Sequence, residues 1–320
     1  MISRKALIIG IDYYKNFDHL QGCANDARNV NSVLRIHSDG TKNFDIKLRV
    51  ARNKQNNIKK KSLKDDVKAL FKYDSDVALF YFSGHGYIDT TGGYLITSDC
   101  ETGDDGLPMS ELLIIINESK AKNKIIILDC CHSGEFANLQ LGNKTNSILS
   151  EGTTVLAASG KDEYAIENNG RGVFTTLFVD AMNGNASDLM GNITPSSIYA
   201  RVDQSFGAWE QRPIFKTNVK TFTSLRTVQP PIDLVDLKKI TKLFPKKGEN
   251  FKLDQSFEPE SKNPNPKNVR KFEILQKYNR VNLVVPVDAE HMYFAAMEGK
   301  SCKLTVLGEH YWNLVKKEKI

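Results

Sequence analysis

Cysteine is scarce in this sequence, and no hydrophobic run is long. The 320 residues include five cysteines, which are Cys23, Cys100, Cys130, Cys131 and Cys302. An odd number without metal-ligand spacing predicts neither a disulfide framework nor a zinc site. The apolar segment at residues 6–11 is broken by Asp12 and is too short for a signal-peptide core or a membrane span. We therefore expect a cytoplasmic protein that does not associate with a membrane.

Neither sign of charge dominates the chain. Lysine and arginine number 44 against 38 aspartates and glutamates, which gives a formal net charge of +6. This mild excess permits nucleic-acid binding but does not require it. The composition, 40% hydrophobic and 26% charged, is typical of globular proteins. The length allows one α/β domain of ordinary size and a smaller second domain.

Apolar runs alternate with amphipathic segments through the first two thirds of the chain. This alternation predicts β-α-β units around a parallel sheet. The predicted strands are residues 6–11, 44–50, 77–82, 94–97, 125–128 and 153–158, with a last edge strand at 211–215. The predicted helices are residues 24–36, 53–71, 110–117, 172–182 and 195–206.

Two predicted strands end in residues that carry chemistry. The buried run 125–128 is followed by Asp129-Cys130-Cys131, and the run 77–82 by Ser83-Gly84-His85-Gly86. Ligand crevices of open α/β sheets form at the carboxyl ends of the strands, so a thiol and an imidazole there would form a nucleophile and base pair. We expect His85 to activate the Cys131 thiol and then to protonate the leaving amine.

Cysteine and histidine at such positions can also be purely structural. A cysteine in a buried strand is usually a small core residue, and this is our interpretation of Cys130, because it alternates in direction with Cys131. His132 is interpreted as a support for the loop and not as the base.

The end of the chain has a different pattern from the sheet region. Prolines 230 and 231 mark a boundary, so we predict a first domain at residues 1–227, a linker at 228–266 and a small domain at 267–320. The helix, strand and helix pattern of the small domain at 267–320 resembles a winged-helix module. The tail has a modest excess of positive charge without a basic-aromatic cluster, so nucleic-acid binding is not favoured.

Together, the two motifs resemble those of the caspase-like cysteine peptidases. Within that group the likeness is to metacaspases and their bacterial relatives, because of residues 129–134 and the early run Gly22-Cys23-Ala24-Asn25-Asp26-Ala27. It extends over about residues 6–215. It implies a caspase-like, mainly parallel sheet flanked by helices, beside a small α+β domain. It also implies a cysteine endopeptidase with an oxyanion hole formed by the amides of Gly86 and Cys131.

The resemblance also implies a specificity pocket made by Asp26, Ser83 and Asp129. Two carboxylates facing one guanidinium would form charge-assisted hydrogen bonds, whereas an aspartate substrate would be repelled. We therefore predict a protein substrate that is cut after Arg or Lys. In the alternative interpretation, Asp26 only caps its helix and Asp129 only ends its strand.

Calcium binding is where the sequence departs from the metacaspases. The resemblance implies adjacent aspartates at positions that are Met109 and Ser110 here, and a further ligand at a position that falls on Asn138. Asp99 alone is far short of the roughly six to eight oxygens that calcium takes. The pair at residues 104–105 is more typical of a solvated turn. We expect no metal, no cofactor and no calcium requirement.

Control of the activity is expected to come from other segments. The polar stretch 135–152 occupies the place of the inter-subunit linker of caspase-like enzymes, and its only basic residue is Lys144, so we predict self-cleavage there. The C-terminal domain is predicted to bind an activating or inhibitory protein partner. The family implies a role in regulated cell death or antiviral defence. The alternative is an interaction module whose C-terminal domain binds a partner or nucleic acid, with catalysis secondary or absent.

Overall fold

The computed structural model describes residues 3–131, 133, 134, 136, 149–158, 167–168, 171–206 and 212–320. Contacts divide the chain into two compact units. The first extends to Gln229, and the second consists of Pro230–Ile320 together with Asp188–Met190.

The first unit contains both strands and α-helices. Its strands are β1 (Arg4–Ile11), β2 (Asp45–Ala51), β3 (Val77–Ser83), β4 (Gly86–Asp89), β5 (Gly92–Leu95), β6 (Leu107–Pro108), β7 (Asn123–Asp129), β8 (Thr153–Ala157), β9 (Glu167–Asn168), β10 (Arg171–Gly172), β11 (Asn192–Ile193), β12 (Ile214–Asn218) and β13 (Arg226–Thr227). Its helices are α1 (Cys23–Arg35), α2 (Lys60–Phe71), α3 (Met109–Asn117), α4 (Val173–Asp180) and α5 (Pro195–Ser205).

A six-stranded sheet forms the centre of this unit. Its order is β12-β8-β7-β3-β1-β2, and all strands run parallel except β12, which is antiparallel to β8. Every residue of β3 and β8 is buried, and residues 77–82 of β3 accordingly appear in the sequence as a continuous apolar run. Helices cover both faces, and each face has its own apolar core. The predicted α/β architecture of a mainly parallel sheet flanked by helices is confirmed.

Two predicted elements have different bounds in the structure. The helix predicted from residue 53 begins at Lys60, because the Asn53 side chain accepts hydrogen bonds from the amides of Gln55 and Asn56 and closes a separate short 3₁₀ turn. The edge strand predicted at 211–215 is instead Ile214–Asn218. Its register against β8 pairs Thr217 with Thr154, whose hydroxyl oxygens are 2.9 Å apart.

The second unit is a small α+β fold. Its elements are α6 (Leu234–Leu237), α7 (Ile240–Leu243), β14 (Phe251–Lys252), α8 (Pro266–Arg280), β15 (Val284–Val287), α9 (Met292–Met297), β16 (Ser301–Leu304) and α10 (Val306–Lys316). The antiparallel sheet has the order β14-β16-β15. A helix connects β15 and β16 where a winged-helix module has a hairpin, so the winged-helix topology is not confirmed.

The segment predicted as a linker at 228–266 is folded. It contributes α6, α7 and β14, and Leu237, Phe244 and Phe257 are buried in the core of the second unit. The two helices of this segment are one turn each, which is too short to produce a visible apolar period. The boundary between the units lies at residues 229–230.

The structure places four of the five cysteines in the interior. It describes all five as thiols outside any disulfide bond, and Cys131 is partly exposed. Among the helices that the structure describes, none is long and apolar enough to cross a membrane.

Candidate active site

The parallel pairing of β3 with β7 places His85 and Cys131 at the same edge of the sheet. Ser83 and Asp129 are direct partners in the register, and the Gly84 amide donates to the Asp129 carbonyl at 3.3 Å. His85 and Cys131 each lie two residues beyond that pair. A Cβ atom on Gly86 would overlap the carbonyl oxygen of Cys131. The chain after the imidazole therefore touches the backbone of the cysteine, and only glycine allows this approach.

The imidazole of His85 is held by the segment that follows β1. Its Nε2 lies 2.8 Å from the carbonyl oxygen of Asp18. A carbonyl can only accept, so Nε2 carries a hydrogen, and in the neutral ring Nδ1 is then the proton acceptor. This tautomer is suited to a base, because one nitrogen fixes the ring and the other is able to take a proton.

Tyr14 contacts both the ring and the backbone of His85. Its ring centroid is 4.7 Å from that of His85, and its hydroxyl accepts the His85 backbone N–H at 2.8 Å. Tyr14 is fully buried, and burial raises the pKa of its phenol well above the ordinary value. Neither Tyr14 nor Asp18 was predicted from the sequence. The only available signal was a pair of tyrosines directly after the first strand.

The two adjacent cysteines have different environments. Cys130 is 1% exposed and belongs to the apolar core, whereas Cys131 is partly exposed. Burial, with smaller contributions from Cys131 and Asp129, raises the pKa of the Cys130 thiol well above its ordinary value. The thiolate is the reactive form of cysteine, so burial and the raised pKa both disfavour reaction of Cys130.

The three predicted pocket residues are all buried near the same sheet edge. Asp26 is 1% exposed, Ser83 2% and Asp129 5%. The Gly172 amide donates to Asp26 Oδ2 at 2.9 Å. A Cβ atom on Gly172 would lie 2.5 Å from Asp129 Oδ2 and 3.1 Å from Asp26 Oδ2. Both carboxylates therefore face the same point at the start of α4, and we call this pair of carboxylates the acidic hole.

The structure does not support the alternative interpretation of Asp26 as the cap of helix α1. Helix α1 has Gly22 at its N-cap, which offers no side chain, and Asp12 instead accepts from the Ala24 amide at 3.0 Å. Asp12 reaches this position from the end of β1. Burial raises the pKa of its carboxyl, while the Ala24 amide and the nearby Arg52 act in the opposite direction. Asp12 was not predicted from the sequence as part of this edge.

The candidate calcium ligands have other partners. Asp99 Oδ1 accepts from the Lys60 amide and from the Thr97 hydroxyl. Asp105 Oδ2 accepts from the amides of Thr102 and Glu101, and hydrogen bonds lower the pKa of its carboxyl. Asp105 is thus part of a turn, as predicted. Within the described ranges, no group of three or more His, Cys, Asp or Glu residues is placed to hold a metal ion. Asn138, His132 and Lys144 lie outside the described residues.

The sheet order, the register of its strand ends and the His and Cys motifs are those of a caspase-like fold. A family profile described as "Caspase domain" matches residues 3–224, and the chain belongs to that family.

Individual relatives agree with this assignment. Metacaspase-1 of Schizosaccharomyces pombe is 28% identical over 209 residues, which cover 57% of this chain and 48% of that protein. Metacaspase-1 of Mycosarcoma maydis is 28% identical over 222 residues, which cover 61% of this chain and 53% of that protein. The chain thus spans about half the length of the curated relatives it matches.

Solved structures give the same fold. The crystal structure of caspase-1 from Spodoptera frugiperda matches with a TM-score of 0.52 and 14% identity, and the match covers 71% of this chain and 91% of that chain. The crystal structure of protein GSU0716 from Geobacter sulfurreducens also has a TM-score of 0.52 and 14% identity, and the match covers 71% of this chain and 100% of that chain. At this identity the similarity shows the fold alone.

Proposed function

We propose that the protein is a cysteine endopeptidase in which Cys131 and His85 form the catalytic dyad. The observation that carries the proposal is the contact of Gly86 with the Cys131 carbonyl, which puts the two motifs at one point of the sheet edge. Cys131 passes its proton to His85 Nδ1, and its sulfur bonds to the substrate carbonyl carbon. The amides of Gly86 and Cys131 are proposed to bind the oxyanion.

The second half of the reaction follows from the same groups. The carbon–nitrogen bond breaks as His85 returns the proton to the departing amine. Water then adds to the thioester, the carbon–sulfur bond breaks, and the thiol is restored. The Asp18 carbonyl would hold the imidazole in one orientation through both proton transfers, since it accepts from Nε2 and not from Nδ1.

The acidic hole is proposed to select substrates with Arg or Lys before the scissile bond. Asp26 and Asp129 face one point, and a cationic side chain placed there would neutralise two buried negative charges. Ser83 would add a hydroxyl acceptor. An aspartate in the same position would be repelled by both carboxylates.

Matched fluorogenic peptides test this function. Peptides that differ only in the residue before the cut, Arg, Lys or Asp, are compared on the wild type and on Cys131→Ala. The proposal predicts turnover of the Arg and Lys peptides only, and none by the variant. Faster turnover of the Asp peptide would contradict the acidic hole, and turnover by Cys131→Ala would contradict the dyad.

Calcium independence is part of the proposal. It is supported by the internal hydrogen bonds of Asp99 and Asp105, which use oxygens that a calcium ion would need. The test is turnover of the Arg peptide in excess chelator with and without added calcium. Equal rates are expected, and loss of turnover in chelator would contradict the proposal.

Self-cleavage at Lys144 remains a proposal that rests on the preference for basic residues. Lys144→Gln is the matched variant, because it removes the charge and keeps much of the side-chain length. Intact masses of the wild type, Lys144→Gln and Cys131→Ala after incubation provide the readout. We expect two fragments from the wild type alone. A wild type that remains uncleaved would contradict the site.

The biological setting is also proposed. We infer a cytoplasmic enzyme with protein substrates, a role in regulated cell death or antiviral defence, and a regulatory partner bound by the C-terminal unit. Support comes from the caspase domain match at residues 3–224, which leaves nearly all of the second unit outside the family region. Full-length Cys131→Ala protein, used as a trap for substrates and partners in fractionated cells, tests these points. Recovery of the same proteins with a variant that also lacks the acidic hole would contradict them as substrates.

A further inference from the structure

We propose that Tyr81 and Thr175 are positioning residues that keep the acidic hole charged and so set its preference for cations. The inference rests on the proposed function and adds two residues to it. Thr175 lies in the first turn of α4, and its Oγ1 is 2.6 Å from Asp129 Oδ2. The Tyr81 hydroxyl is 2.6 Å from the same Oγ1. The three groups form one continuous chain of hydrogen bonds.

The direction of this chain follows from the donors available. An ionised carboxylate only accepts, so the single hydroxyl hydrogen of Thr175 goes to Asp129. Oγ1 can then only accept from Tyr81, whose O–H is the donor. Each bond polarises the next, which strengthens the hydrogen bond that reaches the carboxylate. The chain therefore delivers a directed donor to one oxygen of Asp129.

The hydrogen bonds from Tyr81 to Thr175 and from Thr175 to Asp129 are buried. Tyr81 is 0% exposed and Thr175 is 1% exposed, so the chain has no competition from bulk water. Tyr81 remains protonated at all physiological pH values, because burial and the nearby Asp129 and Asp26 raise the pKa of its phenol well above the ordinary value. It is a permanent donor at the base of the chain.

The need for a donor comes from the neighbouring charge. Two carboxylates that face one point repel each other, and the usual result is that one of them takes a proton and becomes neutral. Hydrogen bonds to the ionised form oppose this. Thr175 supplies such a bond to Asp129, and the Gly172 amide supplies one to Asp26. Each carboxylate thus has its own donor from the start of α4 or the residue before it.

Several groups from described elements lie near Asp129. Asp26 comes from α1, Tyr81 from β3, and Cys130 is its chain neighbour, with the Thr175 hydroxyl from α4. Tyr81 and Cys130 are both neutral at physiological pH, since burial raises the pKa of each. The Asp26 charge is one electrostatic influence that Thr175 counteracts.

The inference makes a distinct prediction about substrate charge. Citrulline has nearly the shape of arginine but an uncharged ureido group. If the hydrogen-bond chain keeps Asp129 ionised, its loss should reduce recognition of arginine and leave recognition of citrulline nearly unchanged. A role in folding alone would affect both substrates equally.

The experiment compares peptides with Arg or citrulline before the cut on Thr175→Val, Thr175→Ser, Tyr81→Phe and the wild type. Valine keeps the shape of threonine without the hydroxyl, and serine keeps the hydroxyl. For Thr175→Val we expect kcat/KM on the Arg peptide to fall by roughly 10- to 100-fold, mainly through KM. Tyr81→Phe should give a smaller fall in the same direction. Thr175→Ser should retain most of the wild-type preference for Arg over citrulline.

The pH profile gives a second readout. Removal of a donor to the ionised carboxylate raises the pKa of Asp129, so the acidic limb of kcat/KM for the Arg peptide should move to higher pH in Thr175→Val. The citrulline profile should not move. Thermal unfolding and iodoacetamide modification of Cys131 verify that each variant is folded with an intact thiol.

The outcomes separate this inference from the proposed function. If the wild type shows no preference for Arg over citrulline, the acidic hole itself is wrong, and so is this inference. If the wild type prefers Arg, but Thr175→Val and Tyr81→Phe lose both substrates equally or neither, only the hydrogen-bond chain is wrong. If Thr175→Val does not fold, the inference is tested with Tyr81→Phe alone, by the same comparison of the Arg and citrulline peptides and by the pH profile.

Discussion

Buried carboxylates distinguish the two units of this protein. The first unit buries Asp12, Asp26 and Asp129, whereas Glu258 is the one buried carboxylate among the described residues of the second. The three in the first unit lie near the carboxyl ends of the parallel strands or on the helix that faces them. Removing a carboxylate from water is costly unless partners compensate. The first unit therefore accepts a cost at one edge of its sheet, and that edge is where we place the function.

The second unit arranges its charges as an ordinary small domain does. Asp236 receives hydrogen bonds from Lys239 at 2.9 Å and Lys277 at 2.6 Å, near the surface. Trp312 Nε1 donates to the Phe244 carbonyl at 2.7 Å, which satisfies the indole beside an apolar core. The contrast indicates that polar groups in the second unit serve stability. Substitutions in the two units should consequently have different readouts.

Gly86→Ala, at the sheet edge of the first unit, should have the largest effect. The added Cβ would overlap the Cys131 carbonyl and displace an amide that we assign to the oxyanion hole. Loss of one such donor lowers kcat by about 100- to 1,000-fold, and steady-state kinetics on the Arg peptide measure it. Full activity in Gly86→Ala would remove this glycine from the site.

Gly172→Ala should weaken specificity more than chemistry. Its Cβ would lie 2.5 Å from Asp129 Oδ2, at the point that both carboxylates face. We expect kcat/KM for Arg and Lys peptides to fall by roughly 10- to 100-fold, while alkylation of Cys131 by iodoacetamide keeps its wild-type rate. A parallel loss of alkylation would show that the substitution disturbs the whole edge and not the acidic hole.

Asp236→Asn should destabilise the second unit in a pH-dependent way. Hydrogen bonds from Lys239 and Lys277 lower the pKa of Asp236, so its stabilisation is present above the unfolded-state pKa and is lost as the pH falls through the folded-state value. At neutral pH we expect a loss of about 1 kcal/mol, measured by urea unfolding. The difference should vanish in strong acid. Asp233→Asn, at an exposed neighbouring position, serves as the control.

Asp12→Asn should have the smallest effect on stability. Burial raises the pKa of Asp12, so its contribution is favourable below the unfolded-state pKa and is lost as the pH rises through the folded-state value. Asparagine keeps an acceptor for the Ala24 amide and removes the charge, so stability at neutral pH, measured by urea unfolding, should change by less than about 0.5 kcal/mol. Asp12→Ala should lose about 1 kcal/mol. Equal losses in both variants would mean that the charge matters and the cap does not.

The sequence predicted the parts of the fold whose signals are local. Buried strands such as Val77–Ser83 are recognised by their apolar runs, and the polar residues that follow two of these strands include His85 and Cys131. Non-local contacts were not visible. Tyr14 reaches His85 across 71 positions, and Tyr81 reaches Thr175 across 94. No periodicity or motif encodes such pairs, because they depend on which strands become neighbours.

Errors in the bounds have local causes. The start of α2 was misplaced because Asn53 closes a 3₁₀ turn inside a stretch with helical composition. The fold of residues 230–266 was missed because one-turn helices carry no period, while Phe244 and Phe257 are buried in a core that extends to Tyr311. Such segments obtain their structure from packing and not from their own pattern.

Covalent labelling tests the central claim most directly. A peptidyl-arginyl chloromethylketone should alkylate the wild type once, with the adduct on Cys131 by peptide mapping. Cys130→Ala should label equally, because Cys130 is buried and its thiol has a raised pKa. Cys131→Ala should not label. An adduct on Cys130, or equally fast labelling by an aspartyl analogue, would contradict the account of a reactive Cys131 beside an acidic hole.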